Sequence, residues 1–343
     1  MTITKRSIIL FVVLLLLIVV IALLAMISGP ADITINQVVH ILFAGPDSSN
    51  SELFSSSQHM IIWNLRFPRI LSAIVAGCTL AVCGTVFQAV FRNPMADPYV
   101  LGISSGAAFS VALAAFFGLI GHVALMWDIP LAAGIGAIGT ALLVFALSGG
   151  MRRSVTTLLL TGVALNFLLS AAMTLFLYLN RSQLHSIIQW SLGSLATSTW
   201  NKLAIMGIIS VASTGLIMSF SREMDILLLD EGSAISVGLP LKKVRIILLA
   251  LSSVATSAIV SFCGIIGFVG LMVPHIIRLV VGPLHKKLLP NAMAGGALMM
   301  LCADTISRNA LGSTELPVGV VTSLAGAPLF IVMLANYRKG IRK

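Results

Sequence analysis

The residues with which this chain could do chemistry are few and dispersed. Its six histidines, His40, His59, His122, His185, His275 and His285, show no metal-ligand spacing, so a structural or interfacial role is expected for each. Cys78, Cys83, Cys263 and Cys302 all fall within apolar segments, without a disulfide framework or zinc spacing, and read as buried packing residues. No catalytic residue and no metal ligand is assigned. Gly102-Ile103-Ser104-Ser105-Gly106 matches the G-x-S-x-G nucleophile pattern, but that motif works on a strand-to-helix turn of a soluble α/β fold. Here it opens an apolar helix, where small residues serve packing. The G-x-x-x-x-G-K-S/T phosphate loop does not occur, so that route to ATP hydrolysis is closed to this chain. Asp304 is the one acid placed well inside an apolar span, weak support for an ion-coupled mechanism, which commonly buries several ionisable groups.

The elements that hold these residues are membrane helices. With 58% hydrophobic and 9% charged residues and a mean hydropathy of +1.06, the composition excludes a soluble globular enzyme, whose charged share is about 25%. Ile8 to Ile27 contains no polar residue, and about 20 apolar residues cross a bilayer core. Lys5-Arg6 would also suit a signal peptide, but the apolar run is too long and lacks a small-residue cleavage site, so a retained helix is expected. Gly, Pro and charge clusters divide the chain into about ten spans, near 7–28, 64–91, 98–118, 129–148, 155–179, 202–220, 243–263, 267–281, 290–310 and 318–336. The eighth is short and Gly-rich, so 261–283 is a candidate helix break. Frequent glycines, Gly77, Gly84, Gly102, Gly106, Gly264, Gly267 and Gly270, predict close helix contacts in an all-α, compact polytopic bundle. The 15 methionines read as gap-fillers in apolar packing.

Charge sets the orientation. The net charge of +10 does not read as nucleic-acid binding, because the basic residues sit in short clusters between apolar segments. Of 21 Lys and Arg, all but five fall on one side of the ten-span topology, which makes that side, and both termini, cytoplasmic. The first external loop, Gly29 to Met60, has three acids and no Lys or Arg. The five exceptions are Arg66, Arg69, Arg181, Lys202 and Arg308; snorkelling towards headgroups is the plain reading of each. Ser221 to Arg245 is the longest charged cytoplasmic segment. Gly232 and Gly238 suggest two short helices with a turn between them, able to dock a soluble partner.

Several segments resemble the FecCD-type permeases, importers of iron-siderophores, haem and cobalamin. They are Arg66-Phe67-Pro68-Arg69; Gly84 through Pro98, with Arg92-Asn93-Pro94-Met95-Ala96-Asp97-Pro98 at its end; Leu101 to Ala107; Thr161 to Asn166; Trp190 to Ser194; Gly267 to His275; Ala303-Asp304; Arg308; and Glu315 to Thr322. Together they cover most of the chain.

The resemblance implies a single transmembrane permease domain over 1–343, with ten helices and a cytoplasmic coupling segment at about 221–241, in the cell inner (cytoplasmic) membrane. It implies a second permease copy, most simply a homodimer, though a related chain is open. Two ATPase subunits inside would carry ATP and Mg, an external substrate-binding protein would deliver cargo, and this chain itself would bind no cofactor. Leu228 to Gly238 looks like the family's coupling element, with Glu231, Gly232, Ala234 and Gly238 in its pattern. Asp230 departs from it, standing where glycine is more usual. Arg66, Arg69 and Arg308 match external arginines that receive glutamates of the binding protein; Arg181 and Lys202 have no such match. Asn93, Met95, Val155 and Thr156 are expected near a cytoplasmic gate. Gln88 and Asn166 are pathway candidates or interhelical hydrogen-bonding residues.

Overall fold

The computed structural model describes residues 3–29, 31, 33–46, 54–120, 127–149, 155–179, 184–229, 231–311 and 314–341. Fifteen α-helices run through them: α1 Ile3–Ile27, α2 Ile35–Ala44, α3 Ser56–Met60, α4 Phe67–Phe91, α5 Ile103–Phe116, α6 Asp128–Leu147, α7 Val155–Leu179, α8 Leu184–Ser191, α9 Trp200–Ser219, α10 Ser221–Leu227, α11 Glu231–Ser236, α12 Leu241–Cys263, α13 Val269–Val281, α14 His285–Asn309 and α15 Val318–Ile341. A lone antiparallel bridge, Leu311 with Thr314, is the extended pairing among the described residues. Each of the ten apolar segments contains a helix. Six helices are long and apolar enough to cross a membrane, and α2, α5, α13 and Val318–Val332 of α15 are shorter apolar stretches.

The added helices lie where local chemistry puts them. Thr34 and Gln37 form a capping box at the start of α2, and Ser55 with Gln58 does the same for α3. From α3 the chain passes through a π-helical turn, Ile61–Arg66, into α4, making one helix of 36 residues. Pro68 explains the widened turn: its ring would clash with the carbonyl four residues back and it has no N–H to donate.

Helix packing is closest where glycines face each other. A Cβ on Gly77 of α4 would lie 2.1 Å from the Gly296 carbonyl oxygen of α14, and one on Gly84 would lie 1.7 Å from that of Gly270 on α13. Two apolar clusters flank this centre. One gathers Phe87, Val90, Leu101, Val111, Leu158 and Leu248; the other gathers Ile41, Ile70, Ala73, Val273, Leu288 and Met300.

The break near the eighth span is present. α13 has 13 residues, about 20 Å at 1.5 Å per residue, too short for a core of about 30 Å. It begins after an irregular stretch in which Gly264 and Phe268 both have positive φ, 71° and 69°. Such backbone is tolerated at membrane depth only where protein satisfies it. Here Ser194 N–H donates to Cys263 O at 2.8 Å, Val318 N–H donates to Gly193 O at 3.0 Å, and the Tyr99 hydroxyl donates to Ile266 O at 2.9 Å while accepting from Ile266 N–H at 3.3 Å.

Candidate functional sites at the two membrane faces

At the outer face the three arginines are drawn inward. Arg69, on the first turns of α4, lies at hydrogen-bonding distance from two carboxylates. Its Nε donates to both Asp304 oxygens, at 2.9 and 3.1 Å, and its Nη1 donates to both Glu315 oxygens, at 3.0 and 2.9 Å. Asp304 is fully buried on α14 and also lies 3.4 Å from Arg308 Nε, one helical turn further on. Arg308 Nη2 donates to Ala25 O at 2.9 Å. Arg66 Nη1 donates to Met26 O and, at 3.1 Å, to Ile27 O. The last carbonyls of a helix have no internal partner, so both guanidinium groups finish α1. Arg66 and Arg69 are buried and the Arg308 side chain is only 7% exposed, whereas the Glu315 side chain is 46% exposed. An exposed arginine face, and equally headgroup snorkelling, therefore differs from this geometry: the buried Asp304 and the bare end of α1 hold the charges inside. Arg181 lies outside the described residues, and Lys202 Nζ donates to Thr197 O at 3.2 Å.

Glu315 also lines a cavity of about 760 Å³, with Asp128, Gln189, Trp190, Lys202 and Phe262 among its walls. It lies between the starts of α6 and α9, α8 and the segment before α15, the side that the ten-span topology expects to be external.

At the inner face the segment 221–241 holds two short helices. The first helix ends at Leu227 and the second begins at Glu231, so Gly232 lies inside the second helix rather than bordering the turn. Asp230 lies outside the described residues, as does the side chain of Glu231. Met224 and Leu227 of α10 and Ala234 of α11 are fully buried in the same cluster as Phe87, Val90 and Phe91 of α4. Ala234 therefore anchors the element instead of facing outward. Leu228, Leu229 and Val237 are 43%, 46% and 64% exposed, beside exposed Gly232, Ser233 and Ser236. Gly238 has φ of 82°, and Leu239 N–H donates to Ala234 O at 3.2 Å, a Schellman ending that needs the left-handed conformation. Space beside Gly238 is open.

Two further contacts tie α10 to the bundle, one through Arg92 at the head of the Arg92–Pro98 segment and one through Asp225, which no motif marked. Arg92 Nε donates to Leu227 O at 2.7 Å, and Asp225 Oδ1 accepts from the His285 backbone N–H at 2.8 Å and from its ring Nδ1 at 2.7 Å. His285 opens α14, ahead of the apolar stretch that begins near residue 290 and on the side that the ten-span topology expects to be cytoplasmic. Burial pushes its imidazole below the ordinary value, against the opposing pull of Asp225.

The gate and pathway candidates separate. Asn93 and Met95 are exposed beyond α4, with Asn93 Oδ1 accepting from Met95 N–H at 2.9 Å. Val155 and exposed Thr156 open α7. Gln88 is buried and donates to Leu271 O at 3.0 Å, an interhelical bond. Asn166 accepts from the Ser105 hydroxyl at 2.6 Å and donates to Tyr99 O at 3.3 Å; both it and Ser105 line a second cavity of about 490 Å³.

Comparison with known proteins covers nearly the whole chain. The FecCD transport family model matches residues 15–336. The hemin transport system permease protein of Yersinia pestis is 38% identical over 84% of this chain and 88% of its own length. The molybdate import system permease protein of Haemophilus influenzae is 34% identical over 93% of each. A solved structure described as an inward-facing metal-chelate type ABC transporter matches with a TM-score of 0.82 at 33% identity, covering 95% of this chain and 98% of that one.

Proposed function

The chain belongs to the FecCD transport family and is a multi-pass membrane permease of ABC-importer type, and on that premise we propose that it carries an iron-siderophore, haem or cobalamin-like chelate inward, driven by ATP hydrolysis on separate subunits. The observation that carries this reading is the inner-face element. It has apolar side chains exposed at Leu228, Leu229 and Val237, a fixed C-terminal turn at Gly238, and a buried anchor at Ala234. Exposed apolar groups on a braced element suit a soluble protein partner. Partner ATPase subunits would hold ATP and Mg. Transport then follows if nucleotide binding favours one of two arrangements of the bundle over the other. No covalent chemistry is asked of this chain.

The outer cavity of about 760 Å³ is of the size that small-molecule sites occupy and suits a chelate better than a bare ion. Lys202 on its wall, with the molybdate-importing relative, favours a second reading, an oxyanion cargo; Asp128 and Glu315 on the same wall oppose it. A second permease copy, the inner membrane of the cell and an external binding protein complete the proposal. Docking by Arg66, Arg69 and Arg308 takes a specific form in this proposal: an incoming carboxylate reaches Arg69 by displacing exposed Glu315.

The test is reconstitution into proteoliposomes with the ATPase subunits and binding protein, using labelled haem, cobalamin, a ferric siderophore and molybdate in parallel. ATP-dependent accumulation of a chelate is expected. Uptake that follows an ion gradient without the ATPase subunits rejects the ATP-driven reading, and accumulation of molybdate alone selects the second cargo.

A further inference from the structure

At the inner ends of α4 and α14, two polar links converge on α10. These helices pack along their length, through the backbone contact at Gly77 and Gly296 and, near the outer face, through the buried Arg69–Asp304 pair. At the inner face they are joined through α10. Arg92, just past the end of α4, donates to the C-terminal carbonyl of α10, and His285, the first residue of α14, donates twice to Asp225 of α10.

The backbone at Arg92 makes this contact more than incidental. Arg92 has φ of 48° and ψ of 35°, and Asn93 N–H donates to Gln88 O, so α4 ends in a Schellman turn with arginine in the left-handed position. Glycine takes that conformation without steric cost; arginine does not. The helix ending alone therefore gives no reason for an arginine here. Its guanidinium bond to Leu227 O does. At His285 the donation from Nδ1 defines the tautomer, leaving buried Nε2 without a hydrogen-bond partner among the described residues.

We infer that Arg92, Asp225 and His285 are positioning residues that bolt α10 to α4 and α14 together, so that displacement of the coupling segment moves the two helices as one body and reaches the outer Arg69–Asp304 pair. This inference rests on the proposed coupling to ATPase subunits and deepens it. The links are static: they hold in every stage of the cycle, and the movement occurs around the α4–α14 pair rather than within it.

The experiment assembles the full permease with its ATPase subunits in nanodiscs, with native cysteines removed and a cysteine at exposed Asn309, the outer end of α14. The readouts are ATPase-subunit retention, ATP hydrolysis, thermal stability, and the change in Asn309→Cys modification by an impermeant maleimide on vanadate trapping. Arg92→Gly relieves the backbone and is expected to keep stability and subunit retention, while the nucleotide-dependent labelling change falls about tenfold, the scale of one lost bond from a charged donor. His285→Ala should lose the change likewise, and His285→Asn, whose amide can replace Nδ1 as donor, should restore it. If Arg92→Gly leaves the labelling change intact, or if His285→Asn behaves as His285→Ala, the bolts do not transmit. If the variants lose the ATPase subunits altogether, α10 supports assembly only and the inference is overturned. Absence of any nucleotide response in the unmodified complex overturns the coupling reading itself, a result distinct from failure of the variants alone.

Discussion

A fully buried carboxylate between two arginines is a site where each member constrains the others. Removing one partner from a buried pair costs about 3–5 kcal/mol because the remaining charge is stranded. Asp304→Ala leaves Arg308 without its carboxylate and Arg69 with the half-exposed Glu315 alone, and is expected to lower thermal stability by that order in detergent. Glu315→Gln touches a half-exposed carboxylate whose contribution solvent screens, so a change of about 0–1 kcal/mol is expected in the same assay. Equal losses for the two would show that burial does not set the scale. For His285 the sign follows from its lowered value: the unfolded chain takes up a proton first. Stability is full above the ordinary imidazole range and is lost as pH falls through it, with Asp225 opposing and Arg278 reinforcing the loss. A pH series of unfolding temperatures should lose this slope in His285→Asn. Half of the outer network was readable in advance. Asp304 and Arg308 stand four apart on one helix, a spacing that makes neighbours. Arg69 and Glu315 are 246 residues apart, and no local periodicity connects them.

Among the elements, glycine content foretold close packing but not which glycines carry it. Gly77, Gly84, Gly106 and Gly270 meet another backbone or side chain within 3 Å of an added Cβ, whereas Gly267 meets only Ser323 Oγ, at 3.8 Å. The difference lies in tertiary partners, which a single sequence does not display. Gly84→Ala is therefore expected to cost about 1–3 kcal/mol, because α4 and α13 must separate. Gly215→Ala on α9, with nothing near, should be neutral or stabilising by up to about 1 kcal/mol, since alanine is the better helix former. Thermal unfolding of the two variants in one detergent makes the comparison. The break before α13 was legible because its Gly-rich span was too short. The π-helical turn before α4 was not: Pro68 was read in a family motif, not as a reason to widen the turn before it.

Across the whole molecule, apolar segments foretold the helices, and charge predicts their orientation. The inner bolts stayed hidden because Arg92 entered only as a cytoplasmic charge within a family segment and His285 only as a structural or interfacial histidine, with nothing local to pair either with α10. Orientation is checked by cysteines at exposed Ser57 and Ser236 in a chain cleared of its native ones. The ten-span topology expects Ser57→Cys to react only from outside and Ser236→Cys only from inside; reaction of both from one side rejects it.

α1 carries a different consequence, one of time. With mean hydropathy of 3.8 and only 11% of its apolar window buried, it enters a bilayer on its own apolar character. Its outer end is nevertheless finished by Arg66 and by Arg308, the latter 283 residues beyond Ala25, while Lys287 and Asn291 of α14 reach Thr4 and Ser7 near its inner end. During synthesis the first helix to emerge must therefore wait, held at its outer end by Arg66 alone, until α14 follows. A chain stalled before α14 keeps the Arg66 cap but leaves the inner end of α1 unanchored, the Ala25 carbonyl bare and Arg69 without Asp304. That bare carbonyl and that unpaired charge are features by which membrane quality control can distinguish an unfinished chain from a finished one.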